Sequence, residues 1–146
     1  MSNFLYHRSS KKGFTILELL VVVAIIAMLF TAISVVLTGV KERSRDAKRM
    51  TNMHEIQKAL NLYYTEFGRF PITLTTIDIT GNDAFSVELE NSGLITEVPT
   101  DPLYPSTVYR YGYISTAGGT DFTLSFCLET DTIQGYVQGC GNTFKP

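Results

Sequence analysis

The sequence predicts an α+β fold, in which one long N-terminal α-helix packs its second half on a small C-terminal antiparallel β-sheet. Three observations lead to this prediction. No charged side chain occurs from Leu19 to Leu37, and apolar residues then recur every three or four positions as far as Phe67. The last third of the chain alternates between apolar and polar residues. With 146 residues, 45% of them hydrophobic, the chain is long enough for one modest domain.

The uncharged run, residues 19–37, would form a helix about 28 Å long, close to the thickness of a bilayer's hydrocarbon core. We therefore expect the first half of the long helix to be embedded in a membrane. A cleaved secretory signal peptide is the alternative, with cleavage near Ala32-Ile33-Ser34, but the apolar run continues beyond that site. Glu18 stands out under either interpretation, because a charge within the hydrocarbon zone costs about 3 kcal/mol.

The segment that follows the uncharged run keeps a helical period. Its apolar residues fall on a single face, and they are Met50, Met53, Ile56, Leu60, Tyr63 and Phe67. We expect Met50 and Met53 to be core residues and not a soft binding surface. Gly68 and Pro71 provide a stop signal for the helix. His54 has no cysteine or carboxylate at ligand spacing, so we do not expect it to bind a metal.

The head, residues 69–146, is predicted to combine a short helix with a small antiparallel sheet. The helix would cover residues 84–95 and end near Gly93. Three strands are predicted, with a turn at residues 116–120 between the first two, and their ranges are 108–115, 121–129 and 135–140. We expect three tyrosines on one strand face to serve packing and not ligand stacking, namely Tyr109, Tyr111 and Tyr113.

Charge is divided unevenly along the chain. Lys41 to Lys58 holds six basic and three acidic residues, whereas Phe70 to the C-terminus holds two basic and nine acidic residues. An acidic head argues against nonspecific binding of nucleic acid. The basic cluster comprises Lys41, Arg43, Arg45, Lys48 and Arg49.

Three interpretations of this basic cluster stay open. The first, which we favour, is a solvated neck beside the membrane surface, in which Glu42 and Asp46 pair with nearby cations along the helix. The second is contact with the acidic heads of neighbouring subunits. The third is binding to DNA or to anionic lipid.

The N-terminal residues carry a family resemblance. Lys11-Lys12-Gly13-Phe14-Thr15, followed by Glu18 and the uncharged run, resembles the leader and N-terminal helix of type IV pilins and type II secretion pseudopilins. Residues 46–71 resemble the stretch that follows the membrane segment in pseudopilins of the major type and in many minor pilins. The likeness is strong over residues 8–71 and loose over the remainder.

The resemblance implies a processing site and an assembly residue. A prepilin peptidase would cleave between Gly13 and Phe14 and N-methylate the new N-terminus, and Gly13 suits cleavage because it lacks a Cβ. Glu18 matches the family's glutamate at the fifth position of the mature chain. The Phe14 amine, of the same chain or of a neighbour, is its candidate partner. We expect this pair to check axial register during assembly, because breaking a buried pair strands a charge.

The resemblance also implies a structural role. The segments would be a leader (1–13), a hydrophobic transmembrane and assembly helix (14–40), its amphipathic continuation (41–68) and the globular head (69–146). The chain would be a subunit of a type IV pilus or pseudopilus that polymerises through its N-terminal helix. Two alternatives are a minor pilin acting as a binding module in DNA uptake or adhesion, and a membrane protein whose leader is never cut.

The implied partners and location follow from that role. The partners would be other copies of the chain and related pilins in a helical filament, the prepilin peptidase, an inner-membrane assembly platform and membrane lipid. DNA is not an expected partner. Before assembly the chain would cross the inner membrane once, with its N-terminus in the cytoplasm and its head outside. Afterwards it would lie in a cell-surface or periplasmic filament.

Cys127 and Cys140 are the only cysteines. An even pair in a small exported head favours a disulfide, which would contribute about 3 kcal/mol. Two buried thiols or a redox pair are the alternatives. Type IV pilins commonly have such a bridge and many major pseudopilins do not, so the cysteines favour a pilin.

No cofactor is expected, with calcium as the less favoured alternative, and no catalytic activity is expected. Major pseudopilins often bind calcium through a C-terminal loop, but Asp121, Glu129 and Asp131 do not form a recognisable ligand loop. Neither Gly-x-Ser-x-Gly nor His-Glu-x-x-His occurs. We therefore predict a substrate of enzymes and not an enzyme.

Overall fold

The computed structural model describes residues 13–146, apart from the side chains at position 32 and positions 34–38. The predicted leader thus lies outside the described residues, except for Gly13. The chain divides into two compact units, one ending at Thr38 and one beginning at Gly39. The elements in order are α1 (Ile16–Phe67), β1 (Ile77–Ile79), α2 (Ala84–Asn91), β2 (Tyr111–Ser115), β3 (Phe122–Leu128) and β4 (Gly139–Phe144). The α+β prediction is confirmed.

The long helix α1 closely matches its prediction. It comprises 52 residues and ends at Phe67. Gly68 then takes a φ of 70°, and its N–H donates to the carbonyl of Tyr64 at 2.8 Å. A left-handed residue at this place closes the last turn, and glycine adopts it without a Cβ clash. The predicted stop signal is therefore confirmed.

The expected membrane span lies within residues 14–40. Its positions 34–38 are among those whose side chains are not described. Across the described residues, no helix is long and apolar enough to cross a membrane.

The four strands form one antiparallel sheet in the order β1-β2-β3-β4. On β2 and β3, alternate side chains face the core, so that Tyr113 lies opposite Leu124. These side chains join the inward face of α1 and one face of α2 in a single core. Its largest apolar members include Met53, Ile56, Leu60, Phe85, Leu89, Tyr111, Tyr113, Phe122, Leu124 and Phe126. The expectation that Met53 is a core residue is confirmed, and Met50 packs against the same core.

The short helix α2 begins and ends where its sequence predicts. Asp83 is the N-cap residue, and its Oδ1 accepts the N–H of Ser86 at 3.0 Å. Ser92 is the C-cap residue, and Gly93 follows with a φ of 74°. The end predicted near Gly93 is confirmed.

Three predictions about the sheet need correction. Strand β1 was not predicted, because three residues carry too little alternation. Strand β2 begins at Tyr111 and not at residue 108, since the Oγ of Ser106 accepts the N–H groups of Val108 and Tyr109 and holds them in a turn. The strand predicted at residues 135–140 is wrong. Gly135 there has a φ of 88° in a turn, and β4 runs Gly139–Phe144 instead.

A β-bulge determines which residue of β4 lies opposite Cys127. Phe126 pairs with Asn142, but the next residue, Cys127, pairs with Cys140, so Gly141 is an extra residue on β4. Gly141 has a φ of 117°, which residues with a Cβ rarely adopt. The bulge therefore brings Cys140 into register with Cys127.

Candidate functional site

The predicted cleavage bond lies in an accessible, irregular segment. Gly13, Phe14 and Thr15 precede α1 and belong to no helix or strand. A Cβ built on Gly13 would meet no atom of the described residues within 4 Å. The side chain of Phe14 is 78% exposed. Among the described residues, nothing blocks access to this bond by an enzyme that must bind an extended peptide.

Glu18 reaches back to the start of its own helix. Its Oε2 accepts the backbone N–H of Thr15 at 2.9 Å and the Thr15 hydroxyl at 2.8 Å. In return, the Oγ1 of Thr15 accepts the N–H of Glu18 at 3.2 Å. Thr15 and Glu18 thus form a reciprocal capping box, which satisfies N–H groups that a helix start leaves without partners.

The capping box was missed at the sequence level, although its signal is present. The pattern is Ser/Thr-x-x-Glu/Gln directly before an apolar run, and Thr15-Ile16-Leu17-Glu18 fits it. From the sequence, Glu18 is expected to reach back toward the N-terminus of its own helix or to face the Phe14 amine of a neighbour. The structure gives it a second role, as a helix cap within its own chain.

The first helical turns expose a large apolar surface. Every apolar side chain in the following group is between 45% and 85% exposed: Phe14, Ile16, Leu17, Leu19, Leu20, Val21, Val22, Val23, Ile25, Ile26, Met28, Leu29, Phe30 and Ile33. Contiguous exposed apolar surface of this kind marks a site that contacts protein or lipid.

Arg49 lies at the centre of a buried charge cluster in the head. Its Nε and Nη2 donate to the two carboxylate oxygens of Asp101, at 2.7 and 3.0 Å. Its Nη1 donates to Asp46 at 2.7 Å and to Glu129 at 2.6 Å. The ring of Tyr109 lies 4.8 Å from the guanidinium carbon. None of the side-chain surface of Arg49 is exposed.

Asp46 binds the backbone at the end of β3. Its Oδ1 accepts the N–H of Glu129 at 2.9 Å, and its Oδ2 accepts the N–H and the hydroxyl of Thr130 at 2.8 and 2.7 Å. Burial alone would raise the pKa of Asp46. The hydrogen bonds from Glu129, Thr130 and Arg49 outweigh burial and hold that pKa below its ordinary value.

The other charges of the cluster are similarly fixed. Hydrogen bonding to Arg45 lowers the pKa of Glu129 against the opposing effect of burial, and Arg49 lowers it further. Burial would lower the pKa of Arg49, but hydrogen bonds to Asp101, Glu129 and Asp46 raise it. All these groups therefore stay charged at neutral pH.

The structure divides the predicted basic cluster into two sets. Lys41, Arg43 and Lys48 are exposed, as a solvated neck requires. For the other two cations that interpretation is wrong, because Arg45 is half-buried on Glu129 and Arg49 is fully buried. Asp46 pairs with Arg49 along the helix, as predicted. The other partners, Asp101 and Glu129, lie far away in the sequence, so helical spacing did not indicate them.

Cys127 and Cys140 form a disulfide, as expected from the sequence. The bond joins β3 to β4 next to the bulge at Gly141. The sheet thereby closes the base of the loop that carries Glu129 and Thr130.

The aromatic residues and the histidine serve packing. Tyr111 and Tyr113 are fully buried, and Tyr109 covers Arg49. His54 is exposed, with its Nδ1 2.7 Å from the carbonyl of Met50 and its ring edge-on to Phe144. Within the part of the chain that the structure describes, no three His, Cys, Asp or Glu side chains are grouped as a metal site would need.

Comparisons with known proteins cover most of the chain. Residues 8–39 match the prokaryotic N-terminal methylation motif, and this range contains Gly13, Phe14 and Glu18. Residues 36–132, about two thirds of the chain, match the family model of type II secretion system protein G. No solved structure is significantly similar to the chain.

Curated relatives give the same assignment. The type II secretion system core protein G of Aeromonas hydrophila is 28% identical over 96 residues, which are 63% of this chain and 67% of the relative. That of Escherichia coli strain K12 is 28% identical over 106 residues, 71% of this chain and 61% of the relative. That of Pectobacterium carotovorum subsp. carotovorum is 28% identical over 136 residues, 90% of this chain and 84% of the relative. The chain spans about three fifths to two thirds of the length of the first two.

These matches distinguish between the two families that the resemblance left open. The disulfide favoured a pilin, but the family model that covers the neck and most of the head is that of a secretion protein. The methylation motif covers residues 8–39, and the protein G model covers residues 36–132. The chain therefore belongs to the type II secretion system protein G family.

Proposed function

We propose that this chain is a structural subunit of a type II secretion pseudopilus, which is cleaved after Gly13 and polymerises through α1. The observation that carries the proposal is the sequence of features at the N-terminus. An accessible Gly13-Phe14 bond is followed at once by a capped helix with exposed apolar side chains. The family match supplies the kind of filament.

Processing is the first step of the proposed function. A prepilin peptidase binds the irregular segment around Gly13, cleaves the bond to Phe14 and leaves an amine there, which is then methylated. The exposure of Phe14 and the space around Gly13 support this step. The new amine lies one residue before Thr15, at the start of α1.

Glu18 then joins neighbouring subunits. Its Oε2 accepts both bonds from Thr15, whereas its Oε1 accepts no hydrogen bond from the described residues. One carboxylate can therefore cap its own helix and accept the Phe14 amine of a neighbour through the other oxygen. In an apolar filament core, a subunit that is displaced along the filament axis leaves the Glu18 carboxylate and the Phe14 amine buried without partners, which costs about 3 to 5 kcal/mol. The pair thus selects the axial register.

Before assembly, residues 14–40 hold the chain in the inner membrane, with residues 41–68 and the head 69–146 outside the cytoplasm. The uncharged run from Leu19 to Leu37 supports this arrangement. The disulfide also supports it, because disulfides persist in oxidising compartments. The partners are further copies of the chain, related pseudopilins, the assembly platform and lipid, and the chain acts without catalysis of its own.

No specific observation favours the alternative of a minor subunit that binds DNA. Two of the five clustered cations, Arg45 and Arg49, are occupied by carboxylates within the head. The acidic head would repel phosphate groups. We therefore keep the filament subunit as the single proposal.

Mass spectrometry of the N-terminus in the native host tests this proposal. We expect a mature chain that begins with N-methyl-Phe14 in membrane fractions, and an unprocessed chain in Gly13→Val. The control variant is Gly39→Ala, because Gly39 lies within α1, and it should leave cleavage unchanged. Recovery of intact Met1 from the unmodified chain in a host with an active prepilin peptidase would refute the proposal.

A further inference from the structure

Three segments that are distant in the sequence meet around the Arg49 guanidinium. Asp46 comes from α1, Asp101 from the loop after α2, and Glu129 from the loop between β3 and β4. Three carboxylates brought together without cations would repel one another and destabilise the head. The family resemblance raises calcium as a cation for the C-terminal loop, so the donor atoms of that loop decide whether calcium fits.

The side-chain and carbonyl oxygens of Glu129, in the loop between β3 and β4, already accept hydrogen bonds. Oε1 of Glu129 accepts Arg45 Nε at 2.7 Å and Arg49 Nη1 at 2.6 Å, and its Oε2 accepts Arg45 Nη2. The Glu129 carbonyl accepts the side-chain amide of Gln138 at 2.8 Å. Calcium needs six to eight oxygens within about 2.6 Å, and two guanidinium groups on the same carboxylate would repel it.

The remaining acids do not form a replacement site. Asp131 and Glu42 line an open cavity of about 240 Å³, but Arg43 lines the same cavity. Asp121 precedes β3, whereas Glu129 follows it, so the length of that strand separates them. The residues present therefore do not fit calcium.

We propose that Arg49 is the structural cation of the head, and that its guanidinium holds the C-terminal loop without a divalent ion. The cation belongs to the chain, so the head is complete without dissolved metal. The proposal concerns the stability of the head alone and does not depend on the filament proposal.

The geometry suits a guanidinium better than an ammonium. Arg49 donates four hydrogen bonds to three carboxylates in the plane of its fork, while the Tyr109 ring covers one face. Lysine has a compact charge and cannot form the paired bonds to Asp101. Arg45 adds a second positive charge at Glu129, so two cations face three anions.

The disulfide also stabilises the C-terminal loop without a metal ion. It joins Cys127 to Cys140 and so closes the base of the loop that contains Glu129. Arg49 and Asp46 hold one end of the same loop on α1. A covalent bond and an internal cation thus fix this loop together, without a bound ion.

Thermal unfolding of the detergent-solubilised full chain tests the proposal without any substitution. We expect the same Tm, within about 1 °C, in excess EDTA and in millimolar calcium. Titration with terbium, a luminescent calcium substitute, should give no saturable signal. A Tm that falls in EDTA and recovers with calcium, or saturable terbium binding, would overturn the proposal.

A matched pair of variants tests the role of the guanidinium itself. Arg49→Met should lower Tm by about 10 °C or more, with no recovery on adding calcium. Arg49→Lys should recover only part of that loss, because lysine keeps the charge without the fork. Arg43→Met removes an exposed cation from the same helix and should leave Tm unchanged. Equal losses in Arg49→Met and Arg43→Met would contradict the proposal, and so would full stability of Arg49→Met.

Discussion

Arg49 and Asp101 form a two-bond ion pair in which neither side chain has exposed surface. Nε to Oδ2 measures 2.7 Å and Nη2 to Oδ1 measures 3.0 Å, across 52 positions of sequence. The pair connects α1 to the loop that precedes β2. A buried pair adds little net stability, but removal of one partner leaves an uncompensated charge in the core.

Asp101→Asn should therefore lower the free energy of unfolding by about 3 to 5 kcal/mol. Asparagine keeps an oxygen that can accept the N–H of Leu103, so the loss reports mainly the missing charge. Urea unfolding followed by circular dichroism measures it. The control is Asp78→Asn, whose pair with Arg110 is about half exposed and should contribute no more than about 1 kcal/mol. Similar small losses in both variants would show that the cluster is dispensable.

Acid should destabilise the head through the same cluster. The pKa of Asp46 lies below its ordinary value of 3.8 and that of Glu129 below 4.5. Both carboxylates therefore bind protons more readily in the unfolded chain. Their contribution is fully present above those ordinary values and is lost as pH falls through the lower folded-state values.

We expect a Tm that is constant from about pH 7 to about pH 5 and declines steeply below about pH 4.5. Differential scanning calorimetry across this range measures the decline. Asp46→Asn removes one of the two groups, so its stability should depend less steeply on pH, by up to about 1.4 kcal/mol per pH unit. A variant with the unmodified acid profile would exclude Asp46 as a source.

The parts of the fold that could be predicted depend on local pattern. The ends of α1 and α2 follow from Gly68, Asp83 and Gly93, which act within one helical turn. Strand β3 follows from the apolar and polar alternation of Phe122 to Phe126. By contrast, β1 is stabilised by pairing with β2 more than 30 residues later, and no local pattern marks it.

The candidate site was predicted in the same uneven way. Gly13, Phe14 and Glu18 lie within six consecutive residues, so a local motif identifies them. From the sequence, Arg49 could not be distinguished from the exposed cations of the basic cluster, because its partners Asp101 and Glu129 lie 52 and 80 positions away. Burial of a charge depends on the whole fold, and spacing along one helix does not report it.

Gly141 should be required for the register of the disulfide. Its φ of 117° strains any residue with a Cβ, so Gly141→Ala should lower the free energy of unfolding by about 1 to 3 kcal/mol. Gly39 offers a control, because it is a helical glycine whose added Cβ would meet no described atom within 4 Å. Gly39→Ala should therefore be neutral or stabilising by up to about 1 kcal/mol. Chemical denaturation with thiol labelling reports both stability and the disulfide. No loss in Gly141→Ala would contradict a strained bulge.

The two roles of Glu18 can be separated through Thr15. Thr15→Val removes the hydroxyl that donates to Glu18 and accepts its N–H, and should weaken the helix start by about 0.5 to 2 kcal/mol. It leaves the Glu18 charge in place, so filaments should still form.

Glu18→Gln keeps a capping side chain but removes the charge. It should reduce assembly below detection, because each contact between subunits would then leave the Phe14 amine buried without an anion, which costs about 3 to 5 kcal/mol. Cysteine cross-linking between subunits measures assembly, and the N-terminal mass shows that both variants are processed. Equal assembly defects in the two variants would mean that capping, and not pairing with Phe14, is the function of Glu18.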